Sequence, residues 1–163
     1  MITEIEINKP APIALGQKAE SFKRGTDIPI TIKALEAGKS ILITEFYSNG
    51  LSLLQELHTY LTKKFPNKSF KEQRKYRSEY HRLSNLILIE ITNHELAVKK
   101  SPKIGWLEKL YPETSDFLLT FPQVQGLNSA WQWYLNGVSI PILRNKIHPY
   151  YGTYFPTRFE HLE

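Results

Sequence analysis

Leu51, Leu54, Leu57, Leu61 and Phe65 recur along "GLSLLQELHTYLTKKF" at intervals of three and four residues. That spacing lays one apolar stripe along a helix, and Pro66 ends it. A longer pattern begins at "SFKEQRKYRSEYHRLSNLILIEITNHELAV". Ser69 followed three residues later by Glu72 is a capping box, and Tyr76, Tyr80, Leu83, Ile87, Ile91 and Val98 then step along one face. Leu86 and Ile89 widen that face, so the spacing predicts one long helix at the centre of the core. Upstream, Ile28, Ile32 and Leu35 predict a short helix within 28–40, with Pro29 in its first turn and Gly38 near its end. Residues 1–27 read as an irregular or partly extended arm, broken by Pro10, Pro12 and Gly16.

Past the lysine-rich loop "KKSPKIG", the run "WLEKLYP" predicts a short helical turn ended by Pro112. "DFLLTFPQVQGLNSAWQWY" fits helix and strand alike, because short apolar runs do not separate the two. Asn136-Gly137 between apolar flanks is a hairpin signal, with Gln132–Leu135 and Val138–Leu143 as strands and Pro141 marking an exposed edge. Near the end, Thr157 and Glu160 form a second capping box, and Phe159 and Leu162 begin a stripe. Isolated helices below roughly 12–15 residues are marginal, so this start signal implies a chain that once continued. The expected fold is mainly α: a helical domain over 1–130, a β-hairpin and linker over 131–155, and the first turn of a further domain over 156–163.

Composition narrows the chemistry. The chain has 163 residues, 41% of them hydrophobic, enough for one domain with a core. It has no cysteine, which excludes disulfides, thiolate nucleophiles and Cys-ligated metals. "MITEIEINKPAP" lacks the plan of a signal peptide, and "LILIEI" is far too short to span a bilayer. A cytoplasmic protein without a membrane partner is therefore expected. His58, His81, His94, His148 and His161 show no HExxH or His-x-His spacing, so no metal site is expected. No Ser or Thr sits in a nucleophile elbow, and no catalytic residue is assigned. "NHE" at 93–95 reads as a polar cluster late in the long helix.

Charge changes the picture once it is located. The net value is +5, yet residues 63–103 hold eleven Lys or Arg against four Glu, a surplus of seven. Lys71, Arg74, Lys75, Arg77 and Arg82 crowd the first turns of the long helix, where cations oppose the macrodipole. Lys71, Arg74, Lys75 and Arg82 are candidate contacts to an anionic macromolecule, RNA or an acidic protein; the alternative is a solvated helix face. Trp106, Trp131 and Trp133 read as core or hairpin packing, or else as base-stacking platforms. His148, Tyr150, Tyr151, Tyr154 and Arg158 form a dense polar-aromatic cluster, stiffened by Pro149 and Pro156; His148, Tyr150 and Tyr151 join the substrate-binding candidates. Its alternative is a packed linker.

The last forty or so residues, ending "HPYYGTYFPTRFEHLE", resemble the segment ahead of the catalytic domain in bacterial class I S-adenosylmethionine-dependent methyltransferases. The plan is also similar to the glutamine methyltransferases of release factors: a helical substrate-binding domain, a hairpin linker, then a turn at the cofactor pocket. The resemblance implies a substrate-recognition domain whose partner is a catalytic domain beyond Glu163. It also implies that Tyr154, Pro156, Thr157 and Arg158 wall the pocket for S-adenosylmethionine. The chain has no GxGxG-like segment and no Asn-Pro-Pro-Tyr motif, so alone it is expected neither to hold that cofactor nor to transfer methyl. The alternatives are a free-standing RNA- or ribosome-binding module and a structural or dimerisation domain.

Overall fold

The computed structural model describes residues 9–137 and 146–152. Their order is β1 (Glu20–Phe22), α1 (Ile28–Glu36), β2 (Ile41–Ile43), α2 (Tyr47–Lys64), α3 (Phe70–Ser84), β3 (Ile87–Thr92), β4 (Glu95–Leu96), α4 (Trp106–Leu110), β5 (Phe117–Thr120) and α5 (Phe121–Asn136). The predicted helices over 28–40 and 51–65 are present as α1 and α2, and the short turn at Trp106 as α4. The whole is nevertheless mixed α/β around a five-stranded mixed sheet, not mainly α.

The long helix expected from Ser69 to Val98 divides. Helix α3 stops at Ser84, where the Asn85 amide bonds back to His81 O at 3.2 Å, and the chain enters β3. The reason lies in the Ile and Leu run. Ile87, Ile89 and Ile91 are buried on one face of the backbone and Leu88 on the other. Such a run leaves no wet face for an amphipathic helix, and β-branched residues fit a strand enclosed on both sides. Strand β3 pairs in parallel with β2 through Ile41↔Ile87 and Ile43↔Ile89, and antiparallel with β5 through Ile89↔Leu119 and Ile91↔Phe117. Strand β1 extends the sheet beyond β2, also in parallel.

The "NHE" cluster is likewise not helical. Asn93 and His94 are the two loop residues of a tight hairpin between β3 and β4, with φ of 54° and 61°. Both positive angles match the type I′ turn that suits twisted strands. Asn tolerates that region, and His less so, but the turn is held from outside. The Asn93 amide donates to Asp116 Oδ1 at 2.7 Å and the His94 amide to Ser115 O at 3.0 Å. His94 Nε2 lies 2.7 Å from the Tyr111 carbonyl, which only accepts, so that nitrogen carries the proton.

The C-terminal hairpin is also corrected. Gln132–Leu135 lie inside α5, and Val138–Leu143 fall outside the described residues. Helix α5 opens with a capping box: Thr120 accepts from the Gln123 amide, and the Gln123 side chain accepts from the Thr120 amide at 3.0 Å. Pro122 is at home in the first turn, and Phe121, Val124 and Leu127 supply a buried stripe. Gly137, with φ of 77°, ends the helix while its amide bonds to Trp133 O at 2.9 Å. Asn-Gly here stops a helix, a role glycine fills for the same reason it fills turns.

Alternation along the strands builds the core. Ile41, Ile43, Ile87, Ile89, Ile91, Phe117 and Leu119 join one cluster with Leu35, Leu53, Leu57, Leu61, Leu83 and Phe121 from the helices. Helices α2 and α5 approach closely at Gly50, where an added Cβ would fall 2.1 Å from the Phe121 ring. The N-terminal arm closes the far edge of β5, with Ile13 exchanging bonds of 2.9 and 2.8 Å with Leu118. Covering that edge satisfies amides that would otherwise pair with another chain.

Tyr111 fastens the arm. Its side chain is fully buried, its hydroxyl donates to Pro10 O at 2.6 Å, and the Lys9 ammonium sits 4.7 Å above its ring. Burial, reinforced by Tyr151 and Glu113, raises its phenol well above the ordinary value of 10.0. A raised native value means that its contribution to stability is complete below pH 10 and is lost as pH rises toward the native value. In urea unfolding followed across alkaline pH, stability should fall above pH 10. Tyr111→Phe should cost about 1 kcal/mol at neutral pH, from the lost hydrogen bond, and flatten that alkaline decline. A decline of unchanged steepness in the variant would assign it elsewhere.

Candidate functional site

The predicted contacts Lys71, Arg74, Lys75 and Arg82 all lie on α3. Their spacings from Lys71 are three, four and eleven residues, which places all four on one side of the helix, and all four are exposed. The opposite side holds Tyr76, Tyr80 and the buried Leu83, which pack toward the core. The segregation explains why α3 forms at all. Its apolar stripe is narrow, so the cationic side has nothing to do but face water or a partner.

The helix start is built to carry that charge. Ser69 Oγ accepts from the Glu72 amide, and the Glu72 carboxylate accepts from the Lys68 amide, both at 3.2 Å. Glu72 thereby places one negative charge in the first turn, where Lys71 is unfavourable. Arg82, in the last turn, bonds bidentately to Glu79 at 2.9 and 3.2 Å. The Arg82 hydrogen bonds hold the Glu79 carboxyl below its ordinary range. Among the described residues, Lys71, Arg74, Lys75 and Arg77 make no ion pair. On α2, by contrast, Lys64 is committed to Glu36 at 3.1 Å.

A groove of about 330 Å³ runs between α2 and α3, on the side of α3 turned away from Lys71 and Lys75. His58, Thr62 and Phe65 line it from α2 and its end, Asn67 from the connection, and Gln73, Tyr76 and Arg77 from α3. The His58 ring meets Tyr76 edge-on at 5.6 Å, and its Nδ1 shares a hydrogen bond with the Tyr76 hydroxyl. Tyr76 in turn stacks on Tyr80 at 5.8 Å. Burial raises both phenols above their ordinary value. Of these groove residues, Phe65 and Tyr76 belong to the apolar patterns of the sequence, and the others do not.

His148, Tyr150 and Tyr151 are not part of this face. Tyr150 meets the Trp106 ring edge-on at 4.6 Å, Tyr151 lies 6.0 Å from it, and His148 Nδ1 is 2.7 Å from Tyr134 O. Trp131 and Tyr134 complete an aromatic cluster around Trp106, which is fully buried. Trp106 is thus core, as its packing reading holds, while Trp133 is partly exposed on α5. Tyr154, Pro156, Thr157 and Arg158 lie outside the described residues. Among the described residues, no three His, Asp or Glu side chains converge as a metal site, and no helix is long and apolar enough to cross a membrane.

Two strand–turn–helix units, β1–α1 and β2–α2, belong to the parallel part of the sheet. At the start of α1 the Asp27 carboxylate already accepts from the Ile30 amide at 2.9 Å. At the start of α2 the Tyr47 amide is taken by Lys99 O at 3.1 Å, and Gly50 lies against Phe121.

Ser69→Ala should remove the α3 cap at a cost of about 1 kcal/mol in urea unfolding, and speed hydrogen exchange in the first turn ahead of the rest of the helix. Stability and exchange equal to the native chain would show that Glu72 alone holds the helix start. Comparison of the chain with family models, curated proteins and solved structures finds no match.

Proposed function

We propose that the chain is a recognition domain that holds an anionic macromolecule against α3, and that it serves as the substrate-recognition part of an S-adenosylmethionine-dependent methyltransferase. One observation carries the first half: Lys71, Arg74 and Lys75 share an exposed side of α3 and have no acidic partner among the described residues. Lys71 stands in the first turn, where an exposed cation costs roughly 0.3–1 kcal/mol, and Arg74 and Lys75 follow it in the second. A partner that supplies negative charge offsets that cost.

The second half rests on the resemblance of "HPYYGTYFPTR" to the lead-in of a methyltransferase domain. In that reading S-adenosylmethionine is held by a catalytic domain, with Tyr154, Pro156, Thr157 and Arg158 on one wall of its pocket. Arg158 supplies a cation for the carboxylate of the cofactor's methionine part. The described residues do the rest: they bind and orient the methyl acceptor. A free-standing RNA- or ribosome-binding module is the second reading, and the same side of α3 supports it.

Binding of an anionic polymer should weaken with salt in proportion to the phosphates contacted, at about 0.7 log units of affinity per log unit of salt for each contact on a single strand. Three contacts give a slope of about 2.1. Fluorescence anisotropy with a labelled RNA strand between 50 and 200 mM salt, as roughly the range over which such slopes are read, checks this. Charge reversal of Lys71, Arg74 and Lys75 together should flatten the slope and weaken all sequences alike. Undiminished affinity in that variant would return this side of α3 to a solvated surface.

A further inference from the structure

Helix α3 offers more than charge. Phe70, Gln73, Arg74 and Arg77 stand at spacings of three, four and seven residues, so they share the side of α3 between the cations and the groove. Phe70 is 64% exposed, an unusual position for a large aromatic ring, and the Arg74 guanidinium lies 4.8 Å above its face. A ring and a cation held together on a surface form a stacking platform for a flat, negatively charged ligand.

The adjoining groove has the matching chemistry. At about 330 Å³ it falls at the small end of ligand sites. Phe65 and Tyr76 give it aromatic walls, while Asn67 and Gln73 bring amides that both donate and accept. Arg77 also lines it, three residues on from Arg74 along α3. Carboxylate side chains of an acidic protein need the cations but have no use for aromatic walls and paired amides. A nucleobase uses all three, because its faces stack and its edges hydrogen-bond. Bases within a duplex have both faces covered, which favours an unpaired strand.

From this we infer that the groove between α2 and α3 receives an unstacked base of single-stranded RNA, whose backbone runs along Lys71, Arg74 and Lys75. The inference rests on the proposal that α3 holds an anionic partner, and narrows it to one partner class. Phe70 stacks on a neighbouring base, Gln73 and Asn67 meet the edge of the inserted one, and Arg77 takes the phosphate between them.

The test compares two labelled strands by anisotropy: a short oligoadenylate and an abasic strand with the same number of phosphates. The native chain should hold the oligoadenylate about tenfold tighter or more, since each stacked base is worth a factor of that order. Phe70→Ala, at an exposed position, and Gln73→Ala, at a half-buried one, should each weaken the oligoadenylate severalfold and leave the abasic strand unchanged. Reversing Lys71 and Lys75 should weaken both strands. Equal, salt-dependent binding of the two strands by the native chain would overturn the base site while leaving the cationic face in place. Failure to bind either strand at low salt would overturn the cationic face as well, and binding of an acidic peptide under the same conditions would then identify a protein partner.

Discussion

Everything in the molecule hangs on the double pairing of β3. Ile87, Ile89 and Ile91 are fully buried, and a buried backbone must find a partner for every amide and carbonyl. A helix would satisfy those groups internally but would turn some of these side chains to water. As a strand the segment is satisfied by β2 on one edge and β5 on the other, and the Ile87, Ile89 and Ile91 face stays dry. The consequence is immediate for α3. It must end at Ser84, so its cationic turns belong to a fifteen-residue helix and not to a central one.

That shorter helix acquires two working sides. Leu83, Tyr76 and Tyr80 tie it to the core and to α2, which fixes where its other residues stand. Lys71, Arg74 and Lys75 are left to solvent, and Phe70, Gln73 and Arg77 flank the groove that α2 and α3 enclose. The aromatic cluster around Trp106 does different work. It packs α4 against α5 and against Tyr150 and Tyr151, and its ring contacts of 4.6–6.1 Å are those of a core. Charge and aromatic rings are both plentiful in this chain, and at Phe70 and Arg74 they meet on an exposed side of α3.

Sequence periodicity revealed the elements with one wet face and misjudged those without. Helices α1 and α2 were legible because their apolar stripes are interrupted by polar residues at every turn. The Ser69 cap was legible because it is local, three residues across. Strand β3 was not, since a run buried on both sides carries no period, and its Ile residues happen to extend the α3 stripe. Asn136-Gly137 misled for a different reason: a positive φ ends a helix as readily as it turns a hairpin. Thr120, Pro122 and Gln123, the opening of α5, held the information that decides between the two. Of the site, the cations were visible in sequence, but the groove was not. Its walls come from α2, the connection and α3, and only their packing brings Phe65, Asn67 and Gln73 together.

Residue-resolved mapping of the bound strand reads the site directly. In heteronuclear NMR of the isotope-labelled chain titrated with oligoadenylate, amide shifts should concentrate on residues 70–77 of α3 and 58–67 across the end of α2 and the connection. Shifts centred instead on Trp106, Trp131 and Tyr150, with α3 unmoved, would contradict the placement of recognition on this helix.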